Sequence, residues 1–313
     1  MRGRALRCLL ACVLIAGCAS VAPPLPAGRA VELAPGVYMF SGASGAADEH
    51  NLGRIGNGGF IVGDLGVIVV DAGSSYAHGR ARLAAIREIT ALPVRVLLVT
   101  HARPEFLFGG AAFREHGIPV RMHSRTAQLM ASRCENCLKT LRQTVGDTAM
   151  QGTVMYPADQ AFEASHTLDL IGRPVRVLSF GHSSGPGDSA VLDERSGVLF
   201  AGGLLDAQRV PDIQDSDLEG WNKALRELRA LRPRLVVPGH GAASTVALLS
   251  TVEHYLERLQ AHVRALLSAG TSLLNIAEAG ELPEFERWDQ YDVIHRRNTA
   301  IAFLRFEREM MFK

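Results

Sequence analysis

Cys134 and Cys137 form the one CxxC motif in the sequence and are the only cysteines beyond residue 18. Cys134 and Cys137 lie in the string SRCENCLKTL, which lacks the next histidine of a covalent haem site and a second pair for a four-cysteine zinc site. A redox role would favour the first cysteine at a helix N-terminus, where the helix dipole lowers the thiol pKa. Ser132 and Glu135 have capping-box spacing, which would place Cys134 in a first turn. In an oxidising compartment, the alternative is a local disulfide between Cys134 and Cys137, or two unreactive thiols.

Glycine-rich strings elsewhere do not match the common nucleophile or phosphate motifs. Ser184 lies in SSGPG, which supplies no strand-to-helix turn and is therefore not a nucleophile elbow. The NGGF string at 57–60 is followed by neither GKS nor GKT, so it is not a phosphate loop. These exclusions leave the histidines and acids as the remaining candidates for chemistry.

The N-terminal segment resembles a bacterial lipoprotein signal. Arg2, Arg4 and Arg7 form a positive region, and a short apolar stretch and the string IAGC follow. Small residues before a cysteine are similar to a lipobox, so we expect cleavage before Cys18 and lipidation of that residue. A plain signal peptide with an incidental cysteine is the alternative. Because Ala19 rather than Asp follows, the resemblance implies a periplasmic protein anchored in the outer membrane of a Gram-negative bacterium.

Composition excludes several classes of protein. The chain has 313 residues, 33 Lys plus Arg against 32 Asp plus Glu, and 47% hydrophobic residues. This balance differs from that of a basic nucleic-acid-binding protein and from that of a disordered chain. We therefore expect a globular protein with no nucleic-acid partner.

The hydrophobic pattern predicts two strand-rich halves, each closed by helices. In the first half, a continuous apolar strand at 94–99 lies between a helix at 78–89 and a helix at 108–116, and further helical residues cover 124–145. Such halves predict two packed sheets with helices outside. We divide the chain into a signal peptide (1–17), a Pro- and Ala-rich tether (18–30), a main domain (31–250) and C-terminal helices packed on it (251–313).

Four ordered strings resemble the landmarks of the metallo-β-lactamase superfamily. They are NGGFIVGDLGVIVVDAG, VLLVTHARPEFLFGGAAF, GDSAVLDERSGVLFAGGLLD and VVPGHG. The resemblance implies an αββα sandwich of two mixed sheets, with a metal site in loops at one sheet edge. Within the superfamily, these four strings and the RCENC segment are most similar to the quinoprotein relay system zinc metallohydrolases. That similarity implies a periplasmic PQQ-dependent dehydrogenase system as partner.

The superfamily's first metal motif, Thr-His-x-His-x-Asp-His, corresponds here to THARPEF at 100–106. The resemblance implies His101 as a ligand and Glu105 as a carboxylate ligand or catalytic base. Arg103 and Phe106 stand where the family has two further histidines.

The later metal motifs are changed as well. Ser184 stands at the position of a histidine, and Gly203 stands at that of the bridging aspartate. The last histidine is kept as His240, and His182 lies two positions before Ser184 and could replace the missing one. Asp71 would be a structural carboxylate near the site.

The resemblance therefore implies a zinc site with too few ligands. A catalytic zinc normally has three protein ligands and a water, and the candidates His101, Glu105, His182 and His240 come from different subsites. Arg103 keeps its charge and would bring a cation close to the first zinc position. We expect Arg103 to replace the metal's charge, either by pairing with Glu105 or by holding an anionic ligand together with Ser184.

Two classes of function remain open. The first is a divergent, non-hydrolytic member whose pocket binds a small molecule or anion, or a redox partner. The second is an active zinc-dependent hydrolase of an ester, thioester or lactam, with a rearranged mononuclear site and Glu105 as ligand or base.

Overall fold

The computed structural model describes residues 29–312. The predicted signal peptide, Cys18 and nearly all of the predicted tether lie outside the described residues. Among the described helices, none is long and apolar enough to cross a membrane.

The first sheet has seven strands in chain order. They are β1 (Ala30–Ala34), β2 (Val37–Phe40), β3 (Gly58–Val62), β4 (Val67–Val70), β5 (Val94–Val99), β6 (Val120–His123) and β7 (Gln160–Phe162). Strands β1 to β4 are antiparallel and β4 to β7 are parallel. Parallel neighbours need long crossovers, which the helices that follow β4, β5 and β6 supply.

The second sheet has five strands in the order β12, β11, β10, β9, β8. They are β8 (His166–Leu168), β9 (Val175–Ser179), β10 (Ser189–Asp193), β11 (Val198–Asp206) and β12 (Leu235–His240). Strands β8 to β11 are antiparallel, and β11 pairs with β12 in parallel.

Helices cover the outer face of each sheet. The α-helices are α1 (Tyr76–Ile89), α2 (Pro104–Leu107), α3 (Gly110–Glu115), α4 (Ser124–Val145), α5 (Leu218–Ala230), α6 (Ala247–Ser268), α7 (Ile276–Ala279) and α8 (Arg296–Met311). A 3-10 turn (Pro283–Phe285) and a π-helix (Tyr291–His295) precede α8. The helix predicted at 108–116 is α3, two residues shorter at its start and one at its end, and the short helix α2 precedes it.

Strand β4 shows why the sandwich has four layers. Alternate residues of a strand face opposite sides. Ile68 and Val70 pack in the cluster between the two sheets, whereas Val67 and Val69 pack in the cluster beneath α1, α3 and α4. All four side chains are fully buried, as expected for a strand covered on both faces. The predicted αββα sandwich of the metallo-β-lactamase fold is confirmed.

The C-terminal helices bury the outer face of the second sheet. Leu256 of α6 and Phe303 of α8 share one hydrophobic cluster with Leu199 of β11 and Leu225 of α5. The domain boundary predicted at residue 250 falls inside α6.

Candidate functional site

The candidate residues meet where strands of the two sheets end. His101 follows β5, and His240 ends β12. Arg103 has an extended backbone as the residue before Pro104 and as N-cap of α2, because a proline disfavours helical geometry in the preceding residue. The short helix then brings Glu105 towards His240.

His101 is buried and anchored through one ring nitrogen. Its Nδ1 lies 2.8 Å from Oγ1 of Thr100, whose hydroxyl donates to the Asp71 carboxylate. The threonine hydrogen is used in that bond, so Nδ1 of His101 is the donor and Nε2 carries a lone pair. Burial, followed by the charge of Arg103, lowers the pKa of His101 well below its usual value, so the ring is neutral.

Asp71 is the structural carboxylate beneath this histidine. It also accepts from the backbone N–H of Thr100 at 2.8 Å. Burial raises the pKa of Asp71 to about 7, even though the hydrogen bonds from Thr100 and the charge of Arg82 act in the opposite direction. Its position supports the site rather than lining its cavity.

His240 lies between two carboxylates. Its Nδ1 is 2.7 Å from Oδ1 of Asp206, and its Nε2 is 3.2 Å from Oε1 of Glu105. The contact with Glu105 is close enough for an ion pair, but its angles do not make a hydrogen bond. Nε2 of His240 therefore has no hydrogen-bond partner within residues 29–312. Burial lowers the pKa of His240, but Asp206 and Glu105 raise it more, and the net shift is upward.

Glu105 has the complementary shift. Burial raises its pKa, but His240 and Arg103 outweigh burial and hold the pKa of Glu105 at about 2. At neutral pH the pair is therefore a carboxylate beside an imidazole with raised proton affinity.

Sequence reasoning missed Asp206. The signal available was a carboxylate at the end of the buried strand VLFAGGLLD, since the last residue of β11 lies beside the last residue of β12.

Phe106 occupies the space between the two histidines. Its fully buried ring has a centroid 4.2 Å from that of His101 and 5.3 Å from that of His240. A Cβ atom at Gly56 would come within 2.9 Å of this ring, so the backbone closes the opposite side. The phenyl ring is thus held in place by glycine on one side and imidazoles on the others.

Gly203 lies directly against His101. A Cβ at this position would come within 2.7 Å of Cδ2 and 3.0 Å of Nε2 of the imidazole. No side chain, and therefore no bridging carboxylate, fits at residue 203 while His101 keeps this position.

Arg103 lines the cavity and contacts Asp212 rather than Glu105. Its Nη2 donates to the backbone oxygen of Asp212 at 3.2 Å and lies 3.9 Å from Oδ2 of the same residue. The expected pairing with Glu105 is not formed, because the Asp212 carboxylate lies next to the guanidinium and is shared with Arg297 at 2.7 Å. Burial lowers the pKa of Arg103, but Asp212, Glu105 and other acids outweigh burial and raise it.

Ser184 and His182 have other partners. Oγ of Ser184 donates to Oδ2 of Asp188 at 2.6 Å, so the hydroxyl hydrogen is already used, although the residue lines the cavity. Nε2 of His182 lies 2.7 Å from the backbone oxygen of Asp215, which turns the ring away from the other candidates. The proposed contribution of His182 to a ligand set is therefore not seen in this geometry.

Cys134 and Cys137 are free thiols on α4. The helix begins at Ser124, ten residues before Cys134, so the predicted first-turn position is wrong. Ser132 and Glu135 do not cap a helix start, because both lie inside α4. The disulfide considered from the sequence is not formed in this structure.

A cavity of about 410 Å³ opens beside these residues. His101, Arg103, Glu105 and Ser184 line one part, and Gln290 and Arg297 of the C-terminal region line another. Gln290 has a left-handed backbone with φ of 62°, and a π-helix follows it. Both features are uncommon and often occur at functional sites.

These residues do not fit a zinc ion in their present arrangement. Within residues 29–312, no three His, Cys, Asp or Glu side chains are grouped so that they could hold a metal. The phenyl ring of Phe106 lies between His101 and His240, and the guanidinium of Arg103 adds a fixed positive charge.

Comparison with protein families matches residues 52–240 to the metallo-β-lactamase superfamily. A metallo-β-lactamase structure from Pontibacter korlensis is 22% identical, with a TM-score of 0.60, and the match covers 73% of this chain and 98% of that one. One from Erythrobacter litoralis is 21% identical, with a TM-score of 0.59 and coverages of 74% and 96%. The FIM-1 enzyme from Pseudomonas aeruginosa, in its mono-zinc form, is 19% identical, with a TM-score of 0.58 and coverages of 74% and 95%. The comparison with curated proteins found no match.

Proposed function

The chain belongs to the metallo-β-lactamase superfamily, and we propose that it is an exported member that has largely lost its zinc ligands and binds a small anion in place of metal-dependent hydrolysis. The observation that carries this proposal is the guanidinium of Arg103 in the wall of the cavity, beside His101 and Glu105.

The positive charge of Arg103 favours binding of an anion over binding of a metal ion in this cavity. At about 4 Å and an effective dielectric constant near 20, two unit charges interact by about 4 kcal/mol, and a divalent ion doubles the repulsion from a guanidinium. His240 adds to this repulsion whenever it carries the proton that Asp206 and Glu105 favour. Neutral His101 adds no charge, and the carboxylates of Asp212 and Glu105 offset only part of this repulsion because they are already close to Arg103 and raise its pKa.

Arg103 retains the capacity to bind a ligand. Its side chain is 25% exposed, and among residues 29–312 its guanidinium makes one hydrogen bond, to the backbone oxygen of Asp212. A guanidinium has five N–H donors in a planar fork that matches a carboxylate or phosphate. The remaining donors can therefore hold a small anion in bidentate geometry.

Calorimetric titration of the purified protein with acetate, succinate and inorganic phosphate tests anion binding. We expect at least one of these anions to bind, and to bind about tenfold or more weakly to Arg103→Gln, because a charge-assisted hydrogen bond contributes about 1.5–3 kcal/mol. Arg308→Gln, at an exposed position of α8 outside the cavity, is the matched control. Binding that is absent for all three anions, or equal in the two variants, would contradict the proposal.

Zinc-dependent hydrolysis of an ester, thioester or lactam is the second candidate. It is favoured by one observation: Nε2 of His101 and Nε2 of His240 are both buried and make no hydrogen bond within residues 29–312. In each ring an oxygen fixes Nδ1, an arrangement common for metal-ligating histidines. Movement of Phe106 would be needed before Glu105 and these nitrogens could share one ion.

Metal analysis separates the two candidates. Protein purified without chelator is expected to contain far less than one zinc per chain and to keep its anion affinity after chelation. Near one equivalent of zinc, lost in His240→Ala, would support the hydrolase instead.

The proposal includes export and anchoring through Cys18. Its support is the arginine-rich start of the chain and the IAGC string. Labelling of cells with a palmitate analogue should mark the wild-type protein and not Cys18→Ser, and fractionation should place the labelled form in the outer membrane. An unlabelled wild-type protein would indicate a plain signal peptide.

The proposal also includes a link to a periplasmic PQQ-dependent dehydrogenase system. Its support is the similarity of the RCENC segment to the quinoprotein relay group. Cross-linking in cells followed by purification of this protein should recover such a dehydrogenase. Its absence from cross-linked material that does contain other periplasmic proteins would count against the link.

A further inference from the structure

The two thiols of α4 are placed asymmetrically relative to the ligand cavity. Cys137 lines the cavity and is half-buried, whereas Cys134 is 1% exposed and belongs to the core beneath the first sheet. An external molecule in the cavity can reach Cys137 but not Cys134.

The helix brings the two residues within bonding range of one another. Residues three positions apart on an α-helix have Cα atoms about 5 Å apart, given the helical rise and radius. Disulfides span Cα separations of about 4.4–6.8 Å. A bond between the two sulfur atoms therefore needs rotation of side chains and a small local adjustment of the helix.

The surroundings of Cys137 suit a nucleophilic thiol. Interaction with the Cys134 thiol lowers the pKa of Cys137 to about 7 and raises the pKa of Cys134, and Sγ of Cys137 lies 3.5 Å from the backbone oxygen of Arg133. Arg133, four positions before Cys137, is held by Asp215 at 2.5 Å and adds positive charge nearby. Thiolate character and partial exposure together distinguish reactive cysteines from structural ones.

We propose that Cys137 and Cys134 form a dithiol–disulfide site that opens into the cavity and exchanges with a small disulfide. The thiolate of Cys137 attacks one sulfur of the disulfide R–S–S–R, the S–S bond breaks, and one RS⁻ leaves. Cys134 then loses its proton and attacks Sγ of Cys137, which releases the second RS⁻. The protein dithiol is oxidised by two electrons, the small disulfide is reduced to two thiols, and the protons of the two cysteines pass to the leaving groups.

Oxidised glutathione is the probe for this site, used on the reduced native protein, and products are scored only at residues 134 and 137, because Cys8, Cys12 and Cys18 are further cysteines of the full chain. We expect the wild-type protein to form an internal Cys134–Cys137 disulfide without a lasting glutathione adduct. Cys134→Ser should keep one glutathione on Cys137, because no second thiol can displace it. Peptide mapping by mass spectrometry identifies each product.

Cys137→Ser is the matched control. It should form no adduct at Cys134 in the native state, because Cys134 is buried, and Cys134 should become reactive once the protein is unfolded. The proposal is overturned if native Cys134→Ser forms no adduct, if the two single variants react equally fast, or if the wild-type protein forms no internal disulfide. The wild-type measurement does not depend on whether either variant folds.

Discussion

His101 and His240 lie against the same phenyl ring but have opposite electrostatic surroundings. Nδ1 of His101 meets a hydroxyl, and burial together with Arg103 keeps the ring neutral. Nδ1 of His240 meets the carboxylate of Asp206, and Glu105 lies at its other nitrogen, so its pKa is raised. The difference teaches that two histidines packed against one aromatic ring can have opposite proton affinities when their other neighbours differ in charge.

Removal of the Phe106 ring, which both histidines contact, should have the largest effect on this site. Phe106→Ala should lower the free energy of unfolding by about 3–5 kcal/mol, because a fully buried phenylalanine leaves a cavity. Chemical denaturation measures the loss. Phe312→Ala, at an exposed position near the end of the chain, should leave stability almost unchanged. Equal stabilities for these two variants would mean that Phe106 is not packed against the two histidines as the structure shows.

Loss of Asp206 should make the environment of His240 resemble that of His101. Asp206→Ala is expected to lower the pKa of His240 and to reduce the free energy of unfolding by about 3 kcal/mol, because a buried ion pair loses one partner. Titration of the imidazole by NMR gives the first quantity, and denaturation gives the second. Asp147→Ala breaks an exposed pair with Arg142 and should have less than about 1 kcal/mol of effect. An unchanged pKa of His240 would refute the role of Asp206.

The hydroxyl of Thr100 anchors His101, so its removal tests the environment of the neutral histidine. Thr100→Val should reduce the free energy of unfolding by about 1–3 kcal/mol, because both Nδ1 of His101 and the buried carboxylate of Asp71 lose a partner. Thr251→Val removes an exposed hydroxyl on α6 and serves as the control. If the two variants are equally stable, the Asp71–Thr100–His101 chain does not anchor the imidazole.

The pH dependence of stability should have opposite signs for the two histidines. The folded-state pKa of His240 is raised, so its contribution is complete below the unfolded value of about 6.5 and is lost as pH rises through the folded pKa. The folded-state pKa of His101 is lowered, so its contribution is present above about 6.5 and is lost as pH falls towards the folded pKa. Each tenfold change in proton affinity corresponds to about 1.4 kcal/mol.

Denaturation measured at a series of pH values on both sides of about 6.5, the unfolded-state pKa of histidine, follows the two contributions. His240→Gln should make the alkaline decline smaller, and His101→Gln should make the acidic decline smaller. Asp71, with its raised pKa, and His78 and His295, with lowered pKa values, carry the remainder of the two limbs. The exposed His50→Gln is the control and should leave both limbs in place. Parallel changes in the two site variants would show that the histidines share one environment.

Much of the fold could be predicted from the sequence because the spacing of hydrophobic residues along a strand or helix shows which of its faces are buried. The string VRVLLV predicted a fully covered strand at 94–99, and the structure has β5 at Val94–Val99. Helical residues predicted at 124–145 form α4 with the same bounds. The helix predicted at 108–116 is confirmed as α3, but the separate short helix α2 that begins at Pro104 was missed, because such breaks depend on backbone geometry rather than on hydrophobic period.

The site was predictable only in part. His101, Glu105 and His240 do come together, since each lies at or just after the end of a strand. His182 does not join them, because its Nε2 is hydrogen-bonded to the backbone oxygen of Asp215. Asp206 was missed because its importance depends on pairing between two parallel strands, which no local pattern reveals.

The sequence by itself determined the layered sandwich, the residue types present at the metal-motif positions and the presence of a fixed cation among them. Only the tertiary structure decided that Phe106 lies between the imidazoles, that Arg103 contacts Asp212, and that Cys137 faces the cavity while Cys134 is buried. The physical reason is range: alternation and composition act along a few neighbouring residues, whereas proton affinity and ligand access depend on groups brought together from distant parts of the chain.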